Sequence, residues 1–322
     1  MTPAADALLD GLIDYAGLFP PAALDLDAAV EAYARHRASP HAAMLGRFIV
    51  PAGRLDALDA HADRLHDGEP WRFSVLGLAP AEGEAWTDTA ARTVAAARAF
   101  ASRLDGAAVC DRFEIRLPAD VALDPDALVG ALSTLDAEMR DGASAGPRAA
   151  VEVPFLDAPD AVEPAAAAVA EANARAGRPA AALKFRCGGV TPDLVPDVEA
   201  LATALAAAVR AEAPFKATAG LHHPLPNHDD AVGARMHGFL GVFGGAALAR
   251  VHGLGADDIA EILDDADPAS WRVGDALQWR SLSATAAEVA DAREQLALSF
   301  GSCSFDEPVN DLRALGWLAP AG

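Results

Sequence analysis

The stretches AALKFRCGG (181–189) and PFKATAGL (214–221) decide the fold. Successive side chains on a strand point to opposite faces. In the first stretch Leu183, Phe185 and Cys187 share one face and Lys184 and Arg186 the other; in the second, Phe215 and Ala217 oppose Lys216 and Thr218. The same parity recurs upstream. DRFEIRLP (111–118) sets Phe113 and Ile115 against Glu114 and Arg116, and AAVEVPFL (149–156) sets Val151 and Val153 against Glu152. Such strands need apolar cover on one face only, and the Ala-rich helical segments between them supply it. Further β-type runs stand at GLIDYAGLF (11–19), MLGRFIVP (44–51), WRFSVLGL (71–78) and LALSFGSCSF (296–305). Strands alternating with helical patterns indicate βαβ units and a parallel sheet, and eight units close a barrel. The expected fold is α/β, a (β/α)₈ TIM barrel with an inserted or appended C-terminal segment.

The spacing is regular up to Gly220, after which about 80 residues precede the eighth run. That interval contains ARMHGFLGVFGGAALARVHG (234–253), an acidic helix at ADDIAEILDDA (256–266) and a hairpin at WRVGDALQWRS (271–281), where Gly-Asp separates two β-rich runs. It reads as a helical and hairpin insertion at about 228–284 in a single domain spanning 1–322. An alternative register makes HGFLGVF (237–243) the eighth strand.

In a barrel the helix-covered outside takes the apolar set, so Glu114, Arg116, Glu152, Lys184, Arg186 and Lys216 are expected to face one axis. Ordinary barrels fill that space with Val, Ile and Leu. Burying so many ions costs several kcal/mol each unless they are paired. Two carboxylates against four cations leave positive charge in a chain whose formal net charge is −22. A small anionic substrate would balance the excess, gripped by the arginines in bidentate fashion. Buried ion pairs that only fix the barrel register are the structural alternative.

The chain holds 25 Lys and Arg residues, yet only Lys184 and Lys216 are lysines. Where arginine is the default cation, a retained lysine marks a place where an amine does what guanidinium cannot: lose its proton and act as a nucleophile. Two ammonium groups about 6 Å apart at an effective dielectric of about 20 repel by about 3 kcal/mol. That lowers the easier pKa by on the order of two units.

KFRCG and KATAG both have the form Lys-x-x-x-Gly on consecutive strands, 32 positions apart. This pairing resembles class I aldolases of the deoxyribose-phosphate aldolase type. The resemblance implies a TIM barrel in which Lys184 forms a Schiff base with a carbonyl substrate and Lys216 lowers its pKa. SFGSCSF (299–305) is similar to the Gly-Ser-Ser strand that helps such barrels bind phosphate, which implicates Gly301, Ser302 and Ser304 beside Gly188, Gly189, Thr218 and Gly220. Glu114 stands nearest to the family's fourth-strand acid. Arg186 and Cys187 depart from the small hydroxylated residues favoured there.

GLHHPLPNH (220–228) places His222, His223 and His228 just after the seventh strand, where barrel sites are built. His222 or His223 suits general acid–base work. With Glu114 or Glu152, and with His237 nine residues beyond His228, they are also candidate ligands for a divalent metal such as Zn or Mn. No His-Glu-x-x-His spacing is present. Tyr15 is a candidate proton donor or a buried structural tyrosine. Cys303 as a nucleophile wants a histidine or a helix N-terminus beside it, and neither is visible in the sequence.

The acidic charge excludes nucleic-acid partners, and no apolar run approaches the roughly 20 residues that span a bilayer. Three cysteines and a start without a basic, apolar leader point to the cytoplasm. The reading is a lyase acting on a small anionic carbonyl compound through a lysine imine, without a cofactor and with homo-oligomerisation possible. A metal-dependent lyase or hydrolase and a non-catalytic small-anion barrel are the alternatives.

Overall fold

The computed structural model describes residues 1–140 and 146–318. Eight strands form a closed barrel in chain order. They are β1 (Ile13–Tyr15), β2 (Leu45–Pro51), β3 (Trp71–Leu76), β4 (Ala108–Ile115), β5 (Arg148–Glu152), β6 (Ala181–Arg186), β7 (Phe215–Thr218) and β8 (Ala297–Ser302). Every neighbouring pair is parallel, including β8 with β1. The expected closed parallel barrel is therefore present, with β8 at the site of LALSFGSCSF.

Helices start where short polar side chains satisfy the first free amides. Asp25 accepts from Ala28 N, Asp124 from Ala127 N and Asp197 from Ala200 N, opening Leu26–Arg37, Pro125–Met139 and Val198–Arg210. Thr285 and Glu288 form a capping box for Ala286–Gln295. The helices cover the apolar faces of the strands: Phe113, Ile115, Leu183, Phe185 and Phe215 are all buried.

The alternative eighth strand is overturned. HGFLGVF holds a π-helical turn, Leu240–Gly244, that runs into the helix Gly245–His252. A continuous apolar run suits a buried helix as well as a strand. Here Phe243 packs on Phe215 at 5.8 Å and Phe239 on Phe300 at 5.3 Å, covering the outside of β7 and β8.

Between β7 and β8 the chain also forms an antiparallel ribbon, Asn227–Asp229 with Ala234–Met236. The helix Ala256–Asp264 follows, and then a three-stranded antiparallel sheet of Trp271–Val273, Ala276–Trp279 and Leu282–Thr285. Among the described residues no helix is long and apolar enough to cross a membrane.

Candidate active site

The inward faces of the strands carry an ordered ionic cluster. Lys184 and Lys216 are in register on β6 and β7, and the two oxygens of Glu114 bridge them. Lys216 Nζ lies 2.5 Å from Glu114 Oε1, and Lys184 Nζ lies 3.0 Å from Glu114 Oε2. On its other side Lys216 meets Asp14 Oδ2 of β1 at 3.2 Å. Ser74 donates to Glu114 at 2.8 Å and Ser299 to Asp14 at 2.7 Å. Nearer the C-terminal rim Lys184 Nζ lies 3.3 Å from Glu152 Oε2, whose Oε1 meets Arg186 Nε at 3.2 Å. The two lysines differ in reach: the Lys184 side chain is 12% exposed and that of Lys216 is 0% exposed.

Two electrostatic expectations change. Asp14 joins the cluster and Arg116 leaves it: three carboxylates (Asp14, Glu114, Glu152) face Lys184, Arg186 and Lys216, while Arg47, 3.8 Å from Asp14, and the buried Arg112 supply positive charge outside the predicted set. Arg116 follows the last residue of β4 and is exposed, lining a separate cavity with Leu78, Trp86 and Leu117. Parity stops applying where a strand ends. The predicted depression of a lysine pKa is also reversed for Lys184. Burial alone would lower it, but Glu114 and then Glu152 outweigh burial and hold it above the ordinary lysine value. Glu114 lies between two cations whose mutual repulsion it offsets. The carboxylates respond in kind: burial would raise Asp14 and Glu114, but Lys216 leads the effects that hold both below their ordinary range.

Above the cluster a cavity of about 520 Å³ opens at the C-terminal end of the barrel, with Glu114, Lys184, Arg186, Gly189, Thr218 and Gly220 in its wall. Ribbon residues Asp229, Val232 and Met236 close one side, and Gly301, His222 and Cys303 another. Close packing explains several of the glycines. A Cβ on Gly188 would lie 2.9 Å from the Cα of Gly220, and one on Gly301 would lie 2.9 Å from Ile49 Cδ1. Gly220 also adopts φ +75°, a left-handed conformation that a side chain would strain. The Ser302 and Ser304 hydroxyls serve the turn into the last helix: Ser302 Oγ donates to Ser304 O, and Ser304 Oγ accepts from Glu307 N.

The histidines do not converge. His222 Nδ1 lies 2.8 Å from Glu307, His223 Nδ1 lies 2.6 Å from Asp311, and His228 Nε2 lies 3.5 Å from Asp230. His237 is buried against the carbonyl of Pro196. Among the described residues no group of three or more His, Cys, Asp or Glu side chains is arranged to hold a metal ion. Neighbouring histidines on an extended segment diverge, and each finds its own carboxylate.

His222 does meet Cys303, with Nε2 3.9 Å from Sγ. The hydrogen bond with Cys303, and then that with Glu307, push His222 up to about 9 against the effect of burial. Tyr15 points outward and packs on Tyr33 and His36. Burial pushes its hydroxyl up to about 12. All three cysteines are free.

The sequence reading missed Asp14, Ser74 and Ser299 in the cluster. Asp14 had a readable signal: an acid between Ile13 and Tyr15 in an apolar run. Searches for similar proteins find no matching family model and no matching curated protein.

Proposed function

We propose that the protein is a lyase that processes small anionic carbonyl compounds through an imine on Lys184. The observation that carries this reading is the position of its amine, at the floor of the cavity and between two carboxylates, while the second lysine is sealed beneath Glu114. Arg186 shares Glu152 with Lys184 and lines the same cavity, so a substrate carboxylate or phosphate that pairs with Arg186 loosens its hold on Glu152. Lys184 then reacts through the fraction that has lost its proton to solvent, a fraction that rises with pH. The neutral amine attacks the carbonyl carbon and a C–N bond forms; the carbinolamine hydroxyl leaves as water with a proton from solvent, giving an iminium, and the bond between the α and β carbons breaks as the β-hydroxyl proton passes to Glu152, releasing an aldehyde and leaving an enamine on Lys184. Lys216 fixes Glu114 beneath the reacting amine and is a positioning residue.

Borohydride added to protein mixed with a panel of aldehydes and keto acids should fix a substrate fragment on the tryptic peptide that contains Lys184. No adduct on Lys184 across the panel would contradict the reading. A protein that only binds anions would instead tolerate Lys184→Arg without loss of ligand-induced thermal stabilisation.

A further inference from the structure

Cys303, at the end of β8, and His222, in the loop after β7, are 81 positions apart in the chain and meet at the barrel mouth. They sit where the main cavity joins a second hollow of about 330 Å³, and both residues line both spaces. Glu307 lies 2.8 Å from His222 Nδ1 and orients the ring so that Nε2 faces Cys303 Sγ, where it can take up and hold the sulfur's proton. The nine-residue helix Asp306–Ala314, which carries Glu307 in its first turn, begins three positions after Cys303. The other titratable groups near the thiol are Tyr15, His36 and Asp306 on the barrel's outer side, and Asp229, Lys184 and Arg186 in the cavity.

We propose that Cys303, His222 and Glu307 form a second reactive centre: a thiol nucleophile, its base and the carboxylate that orients the base, acting on small acyl compounds of the ester or thioester class. His222 Nε2 takes the Sγ proton and sulfur attacks the carbonyl carbon. The C–S bond forms as the bond to the leaving oxygen or sulfur breaks, and His222 returns the proton to the leaving group. Water, deprotonated by the same nitrogen, then attacks the thioester carbon; the C–S bond breaks and the proton returns to Cys303. The centre requires no imine at Lys184. Cys110 and Cys187 serve as internal controls, because burial pushes both thiols up to about 12.

The test treats the full chain with para-nitrophenyl acetate and, separately, with iodoacetamide across a pH series, locating the label by peptide mass spectrometry. The expected result is a burst of about one equivalent of nitrophenolate with the acetyl group on Cys303. Iodoacetamide should label Cys303 ahead of the buried Cys187 and of Cys110. His222→Gln should slow acylation by about 100-fold and slow the alkylation of Cys303. Should that variant not fold, Glu307→Gln, on an exposed side chain, should slow acylation by at least about tenfold. Acetyl groups on Lys184 alone, alkylation that spares Cys303 in the unaltered protein, or rates indifferent to a folded His222 or Glu307 variant would each overturn the proposal.

Discussion

At the scale of single residues, the charges around the two lysines are held by mutual pairing. Lys216 has no solvent exposure and serves two carboxylates, themselves buried. Its replacement by methionine keeps most of the volume but leaves Asp14 and Glu114 short of a cation, and removing one partner of a buried pair costs about 3–5 kcal/mol. Urea denaturation should show that loss for Lys216→Met, with part of it recovered in the Asp14→Asn/Lys216→Met double variant because the two sites share one interaction. Equal and additive losses would show the pairs to be independent. The lysines were legible because two in a chain otherwise using arginine stand out, and strand parity then aimed them inward. Their electrostatic setting was not legible. It depends on Asp14, 202 positions from Lys216, a contact that only barrel closure creates.

At the scale of elements, the alternation of strands and helices was readable from end to end, because each strand is apolar on the face its helices cover. Two features escaped. The apolar run at 237–243 fits either element by composition, and the choice was made by Phe215 and Phe300, which need cover on the outside of the barrel. The pairing of His222 with Cys303 required the loop after β7 to be brought against the end of β8. The close approach of the segments after β6 and β7 gives a specific prediction. Gly220→Ala introduces a side chain at φ +75° and 2.9 Å from the Cα of Gly188. A left-handed residue with a Cβ costs about 1–2 kcal/mol before any clash. Thermal denaturation should show at least that loss, whereas Gly130→Ala, in open space within a helix, should be stabilising by about 0.5–1 kcal/mol.

At the scale of the whole molecule, the ionic cluster links stability to pH. Asp14, Glu114 and Glu152 all titrate lower in the folded protein than as free side chains, because their cationic partners outweigh burial. Groups of this kind contribute stability that is fully present above their unfolded values, about 4. It is lost as pH falls through the lower folded values, since the unfolded chain then binds more protons. Lys184 has the opposite sign: its folded value is raised, so its contribution is present below the unfolded lysine value, about 10.4, and disappears as pH rises through the folded one. Denaturation midpoints should therefore fall on acidification below about pH 4, with a shallower slope in Glu114→Gln. Identical slopes in both proteins would remove Glu114 from the linkage.

The raised pKa of Lys184 also fixes how its chemistry must depend on pH, and borohydride trapping of a keto acid, followed across a pH series and resolved by peptide, measures this most directly. The label should fall on Lys184 and be absent from Lys216, and its initial rate should rise with pH by up to about tenfold per unit until the amine titrates. Labelling that is confined to Lys216, or absent throughout, would contradict an imine at the cavity floor.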